Sequence, residues 1–386
     1  MPVFNNPYGP SYTAPPRVRA LINGIPLQAT VSASITTANH RTADRCSLVV
    51  CLGQDDSVYP TSWWGTDAAK NAVIEVQIGA AQVTTWGTET VDWVSMFTGV
   101  ADHIHLEMAP YTANLECRDL SSRLIDTKTR EVFRNQKASD VAIMLAGRHG
   151  LTADVTPTSG ASGAPWEAQH QRVTLDSTAS TTTEWAVLER MAQEEGYDLW
   201  VDGTTLHFHP YVAATDATAP VFQVIWQRPS QDYAFPRSNV NDLRLDRNFA
   251  LAKDVKVTVK SWSGKKGKGT PVSYPPNAAK DATEYTIIRG GKSPEEALKL
   301  AENTWRDIVQ HELLATFSMP GDISADSNGK PLFHARTLIN ISGTNTAWDT
   351  TFYVGHITRT ISFDGGFFMD LEIKNQSPQG QLLVGG

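Results

Sequence analysis

The residues best spaced for chemistry are two His-x-His pairs, His103/His105 and His207/His209. On a strand, positions i and i+2 share a face, so each pair offers two imidazoles to one side of a sheet. Imidazole is a common zinc ligand. No carboxylate or cysteine completes a ligand set in sequence for either pair, and spacing alone does not make a site. The expectation is that no metal is bound and that both pairs are structural or exposed, with Asp198 facing His207 across a hairpin as its partner. The stretch DISADSNGK (322–330) resembles a calcium loop but lacks Asp at the first position and Glu at the last, which leaves a turn-rich loop. GKKGKGT (264–270) has lysines and glycines without phosphate-loop spacing, follows a strand and opens no helix. It reads as a solvated loop that passing nucleic acid could touch. No GxSxG, HExxH or GxGxxG motif occurs. Glu194 and Glu195 read as solvent-facing. Eleven tryptophans invite sugar stacking, but Trp185 and Trp305 fall on helices that should pack on sheets. The reading is therefore no catalytic residue, no cofactor-binding residue and no metal ligand.

The elements around the second histidine pair are the most legible in the chain. Residues 181–210 read as one helix and one tight hairpin. Thr181 is placed to cap the helix, with Glu184 closing a capping box. Trp185, Leu188 and Ala192 form its apolar stripe, widened by Val187 and Met191. Gly196 stops it. Asp202-Gly203 then signals a type I′ turn, and in that register Leu199 faces Leu206 and Tyr197 faces Phe208. Asn23-Gly24 signals another such turn. Gly24 and Gly203 are both expected at positive φ.

Composition bounds the rest. At 386 residues the chain should hold two to four domains. Hydrophobic residues are 41% and charged residues 19%, enough for real cores. A net charge of −8 argues against nucleic-acid binding as the main role. Cys46, Cys51 and Cys117 make no CxxC pair and no even framework, and read as buried thiols. The N-terminal MPVFNNPYGPSYTAPP has no basic start and no apolar centre, so it is not read as a signal peptide. The longest apolar run, Val141–Ala146, is far too short to span a bilayer, so no membrane insertion is expected.

Taken in order, the chain reads as α+β, mainly β. Residues 1–16 form an arm and residues 17–120 a first β-barrel-like domain. Residues 121–215 form an α+β middle domain, with a helix opening at Ser139 and stopped by Gly150. Residues 216–375 form a second β-barrel-like domain, including a helix at 293–311 capped by Ser293 and Glu296. Residues 376–386 form a tail. An internal repeat relates the β blocks. At a fixed offset, Phe97-Thr-Gly99 meets Tyr353-Val-Gly355, Leu115-Glu116 meets Leu371-Glu372, and the turn at Ala109-Pro110 meets Gly365-Gly366. The two blocks read as copies of one barrel unit.

Several segments, in order, resemble the phage late control D and baseplate hub family of contractile tails, which is related to the hub part of type VI secretion spike proteins. They are Phe97-Thr-Gly99, LECRDLSSRL (115–124), SDVAIMLAGRHGL (139–151), the helix–hairpin 184–210, VKVTVKSW (255–262), SPEEALKLAENTW (293–305) and YVGHITRTISFDGGFFMDLEI (353–373). The SVYPTSWWGTD loop (57–67), the Ser/Gly loop near 160 and the short C-terminus depart from the pattern. The resemblance implies a late, non-enzymatic virion structural protein of a phage tail or related contractile injection system. Such a protein would join the sixfold tail tube to the threefold central spike as a homotrimer, with its two tube domains per chain lining a channel. Its implied partners are the spike, tube or tube-initiator proteins, other baseplate proteins and a tape measure protein, with DNA or effector passing without specific binding. Its implied place is the tail baseplate of the virion, assembled in the host bacterial cytoplasm. Two other classes compete. One is a carbohydrate-active enzyme or carbohydrate-binding module acting on the cell wall. The other is a tail tube subunit, which fits less well because it needs one barrel and about half this length.

Overall fold

The computed structural model describes residues 16–39, 42–53, 57–83, 89–131, 133, 136–159, 164–166, 171–173, 182–211, 221–230, 234–249, 254–261, 271–326 and 329–375. The N-terminal arm (apart from Pro16), the C-terminal tail, GKKGKGT and Thr181 lie outside them. The chain opens with β1 (Pro16–Ile22), β2 (Ile25–Pro26), β3 (Thr30–Ala38), β4 (Arg45–Cys51), a 3-10 turn (Thr61–Gly65), α1 (Asp67–Lys70), β5 (Val73–Val83), β6 (Glu89–Glu107) and β7 (Thr112–Asp119). A mixed stretch follows: α2 (Ser122–Asp126), β8 (Lys128–Thr129), α3 (Ala138–Arg148), β9 (Thr152–Val155), β10 (Ala164–Trp166), β11 (Gln171–Val173), β12 (Thr182–Thr183), α4 (Glu184–Glu195), β13 (Tyr197–Asp202) and β14 (Thr205–Pro210). The last third holds β15 (Val221–Gln227), β16 (Arg237–Ser238), β17 (Asn241–Arg247), β18 (Val255–Lys260), β19 (Pro271–Tyr274), β20 (Thr283–Ile288) and α5 (Pro294–Val309). It ends with β21 (Leu313–Pro320), β22 (Leu338–Ser342), β23 (Thr351–Ser362) and β24 (Gly366–Asn375).

The protein is thus α+β and mainly β. Its backbone contacts divide it into two compact units: 1–120 with 214–245 and 315–373, and 121–213 with 246–314 and 374–386. The first unit carries a fourteen-stranded sheet. Its strands alternate as the sequence requires: Cys46, Leu48 and Val50 of β4, and Phe367, Met369, Leu371 and Ile373 of β24, all turn inward. Each fully buried aliphatic side chain contributes about 1.5–3 kcal/mol of transfer free energy.

The neighbour order in this sheet has a repeat in it. One run is β3-β4-β7-β6-β5-β1, and the other is β17-β21-β24-β23-β22-β15. Read in chain order, the first, second and third strands of one block (β1, β2, β3) correspond to β15, β16 and β17, and the last four (β4 to β7) to β21 to β24. The hairpins β1–β2 and β15–β16 match as well. One pairing differs in sense: β1 runs antiparallel to β5, whereas β15 runs parallel to β22. The runs join where β23 pairs antiparallel with β3, His356 opposite Ala38 through Ser362 opposite Ser32. The sequence repeat at offset 256 is therefore the β6–β7 and β23–β24 part of a longer correspondence. Among the described residues no sheet closes on itself.

In the second unit, α3 and α4 cover a three-stranded sheet ordered β13-β14-β9, and α5 packs on a second sheet ordered β19-β18-β20. Ser293 caps α5 with both bonds of the capping box formed. Trp305 donates its indole N–H to the Val255 carbonyl, a structural placement of the kind its helix implied. The helix over 294–309, grouped on sequence with the second β domain, also packs on α4, within the compact unit that holds 121–213. Asn303 donates to the carbonyls of Gln193 and Glu194 at 3.1 and 3.3 Å, Lys292 pairs with Glu194 at 2.7 Å and Lys299 with Glu195 at 2.8 Å. Glu194 and Glu195 are thereby ion-paired and mostly buried, not solvent-facing.

Three local expectations shift. The cap of α4 is Thr183, whose hydroxyl accepts from the Ala186 amide at 3.1 Å, so Glu184 stands at the first helical position instead of closing a box. The β13–β14 turn is Gly203-Thr204, with Gly203 at φ +58° and Thr204 outside the left-handed region. Glycine in the first turn position is the signature of type II′ rather than I′. Pairing then moves by two residues: Leu199 lies opposite Phe208 and Val201 opposite Leu206. A two-residue slip keeps every side chain on its original face, so the apolar face survives intact. At Asn23-Gly24 both residues are left-handed, φ +49° and +82°, as type I′ requires.

Candidate functional site

The strongest cluster of chemistry-bearing side chains sits on the β13-β14-β9 sheet. One face of that sheet, Leu199, Val201, Leu206 and Phe208, is buried. The period of two then puts Trp200, His207 and His209 on the other face. β9 adds in parallel, setting Asp154 opposite His207. His207 Nδ1 lies 2.9 Å and His209 Nε2 3.1 Å from the same Asp154 oxygen, Oδ2. His209 Nδ1 lies 2.8 Å from the Thr156 hydroxyl. That pattern sets the neutral tautomer of His209: Nε2–H donates to the carboxylate, and Nδ1 accepts from Thr156. The Trp200 ring stacks on His207, 4.7 Å between centroids and 12° from parallel. The side-chain exposures are graded, 55% for Asp154, 29% for His209 and 11% for His207, so the cluster opens to solvent from one side. Burial acts to raise the Asp154 carboxyl, but the hydrogen bonds and charge of His209 and then His207 outweigh it and hold the group below its ordinary range.

The three ligand-type atoms lie within 4.8 Å of one another, close enough to be drawn around a single metal ion. Asp154 was not identified from the sequence because its signal is not local. It comes from a four-residue strand separated from β14 by β10 to β13 and α4, and it arrives through parallel pairing. Asp198, expected opposite His207, stands opposite His209. The other pair is not brought to any such group among the described residues. His103 and His105 are exposed on β6 beside a bulge at Ala101, opposite Glu116 and Asn114.

The remaining candidates settle into structural roles. Around 322–330, Asp322 accepts from the Ser324 amide and hydroxyl, and Asp326 from the Lys330 amide, as in a turn. Cys46 and Cys117 face each other across β4 and β7 as buried free thiols. Burial pushes Cys46 up and raises Cys117 to about 12, so both stay protonated and inert. Cys51 is only half-buried. The SVYPTSWWGTD stretch is a packed 3-10 turn: Trp64 enters the core and the Tyr59 hydroxyl donates to the Ile22 carbonyl. Glu184, buried at the start of α4, binds His149 at 2.6 Å and Arg148 at 3.2 Å, and Arg148 makes two bonds to Glu131. This network fastens the end of α3 to the start of α4. At the turn after β23, Phe363 stands 94% exposed, and at the turn after β6 Met108 is exposed as well.

No family model matches the sequence, and no curated sequence matches it. Solved structures do match, over almost the whole chain. The tail protein of Neisseria meningitidis superimposes with a TM-score of 0.67 at 14% identity, covering 94% of this chain and 97% of that one. A 43 kDa tail protein from a Shewanella oneidensis prophage gives 0.63 at 16% identity, covering 93% and 98%. A type VI secretion component of E. coli, described as structurally similar to the bacteriophage T4 tail proteins gp27 and gp5, gives 0.50 at 12% identity, covering 93% and 77%. The chain shares the fold of these tail proteins over nearly its whole length, and that of the secretion component over 77% of the latter.

Proposed function

We propose that this chain is a structural hub of a phage tail or related contractile injection machine, joining a sixfold tail tube to a threefold spike. The observation that carries the reading is the duplicated strand order within a fold shared with tail proteins over nearly the whole chain. Two related blocks per chain, repeated by threefold symmetry, give six similar units facing the tube and a threefold face for the spike. The open sheet supports the same idea. Unclosed strand edges invite uncontrolled pairing, and a ring of neighbouring chains that complete each other as barrels removes that hazard. The remaining unit, which has no repeat partner, breaks the sixfold pattern. Beyond the spike and tube proteins, the partners of this reading are other baseplate proteins and a tape measure protein. DNA or effector crosses the channel without specific binding, and the net charge of −8 suits a lumen to which DNA must not stick. The role requires no catalysis. Native mass spectrometry of the protein mixed with its spike and tube proteins tests it. A 3:3 hub–spike complex supports the reading, and a hub that stays monomeric with both partners present removes it.

A further inference from the structure

We propose that Asp154, His207 and His209 form a binding site for one borderline divalent cation of the zinc class. The sequence offered two imidazoles and no third ligand; the fold supplies the third. Parallel pairing of β9 with β14 sets Asp154 against His207, and the i, i+2 spacing brings His209 onto the same oxygen. Two nitrogens and one carboxylate oxygen are the donor types that zinc takes in three-ligand open sites. Zinc bonds of about 2.0–2.2 Å require ligand atoms about 3.4 Å apart in tetrahedral geometry. The present separations from Asp154 Oδ2 are 2.9 and 3.1 Å, so each must open by a few tenths of an ångström, while the two imidazole nitrogens, within 4.8 Å of each other, must settle at the same spacing. Asp154 is the most exposed of the three and has room to swing.

The support around the ligands matches what a metal site needs. Thr156 holds the far nitrogen of His209, fixing its ring and leaving Nε2 directed at the ion. Trp200 fixes the plane of His207 by stacking. Binding shifts each neutral imidazole to its other tautomer: the nitrogen facing Asp154 gives its lone pair to the cation and the proton sits on the far nitrogen, which on His209 then donates to the Thr156 hydroxyl, so three groups held together by hydrogen bonds become three ligands of one ion. Its consequence is mechanical. β9 is the edge strand of its sheet, and a cation shared with β14 would pin it there.

The test uses the full chain, stripped with chelator, loaded with zinc, desalted and measured by elemental analysis, with affinity from competition against a chromophoric chelator. The expected result is one zinc per chain. His209→Ala and Asp154→Asn, both at the open side of the cluster, should each weaken binding at least about tenfold. His103→Ala/His105→Ala should leave binding unchanged. Cobalt loading gives a second readout, visible d–d bands that vanish in Asp154→Asn. A folded protein that retains no zinc overturns the proposal. So does zinc uptake that His209→Ala and Asp154→Asn leave intact.

Discussion

Gly196→Ala probes the junction between α4 and α5 most sharply. Gly196 ends α4 at φ +70°, and a Cβ there would lie 2.8 Å from Asn303 Oδ1 and 3.1 Å from its Cγ. Alanine in the left-handed region costs about 1–2 kcal/mol. The side chain of Asn303 must also move, and it is the donor to the Gln193 and Glu194 carbonyls at the end of α4. Each of those bonds contributes about 0.5–1.5 kcal/mol. The expected loss is about 3 kcal/mol, or about 6–12 °C in the melting of a unit of this size. Gly150→Ala is the control: Gly150 has nearly the same φ, +68°, but nothing lies within 4 Å of its added Cβ. It should show the backbone part alone, about 1–2 kcal/mol. Urea unfolding of both variants, and of Gly196→Ala in an Asn303→Ala background, separates the terms. In that background the excess over Gly150→Ala should vanish. Gly196→Ala and Gly150→Ala agreeing within about 0.5 kcal/mol in the parent background would refute the Asn303 argument.

Other outcomes follow from single contacts. Ser293→Ala should destabilise by about 1 kcal/mol, because it removes the hydroxyl that accepts from the Glu296 amide; a melt unchanged from the parent contradicts that role. The Arg148 hydrogen bond holds the Glu131 carboxyl below its ordinary value, outweighing burial, so its stabilisation is complete above the unfolded value and is lost as pH falls through the lower folded one. Both side chains are about two-fifths exposed, so the effect should stay under about 1 kcal/mol. Urea midpoints taken through the acid range should show Arg148→Met flattening this part of the slope. Phe363→Ser should leave stability within about 0.5 kcal/mol, since the ring is almost fully exposed, and a urea midpoint shifted beyond that would contradict its lack of packing.

What the sequence made legible were patterns enforced within one element or one turn. Ser293 and Glu296 announced a capping box, and both bonds form. Asn23-Gly24 announced a turn with two left-handed residues, and both are left-handed. The apolar stripe of α4 is buried at Trp185, Val187, Leu188, Met191 and Ala192. Where two readings satisfied the same local pattern, the sequence was silent. Thr183 can cap as well as Thr181, and a glycine serves the first position of one turn type or the second of another. The hairpin slipped by two residues because alternation fixes the face of a side chain but not its partner. Least legible was what pairing over a distance decides. Asp154 reaches the histidines through a parallel strand, and 246–314 joins the middle unit through Asn303, Lys292 and Lys299, polar side chains that carry no periodic signal. The offset repeat was visible only at two hairpins, although the strand order repeats across both blocks, because few of the intervening side chains coincide.

The central claim concerns symmetry, and electron microscopy of the protein assembled with its spike and tube proteins tests it most directly. The account predicts a ring of three chains in which the two related strand blocks of each chain alternate, giving six similar lobes towards the tube and three towards the spike. A ring built from six chains would identify a tube subunit instead, and a protein that forms no ring with either partner would contradict the hub.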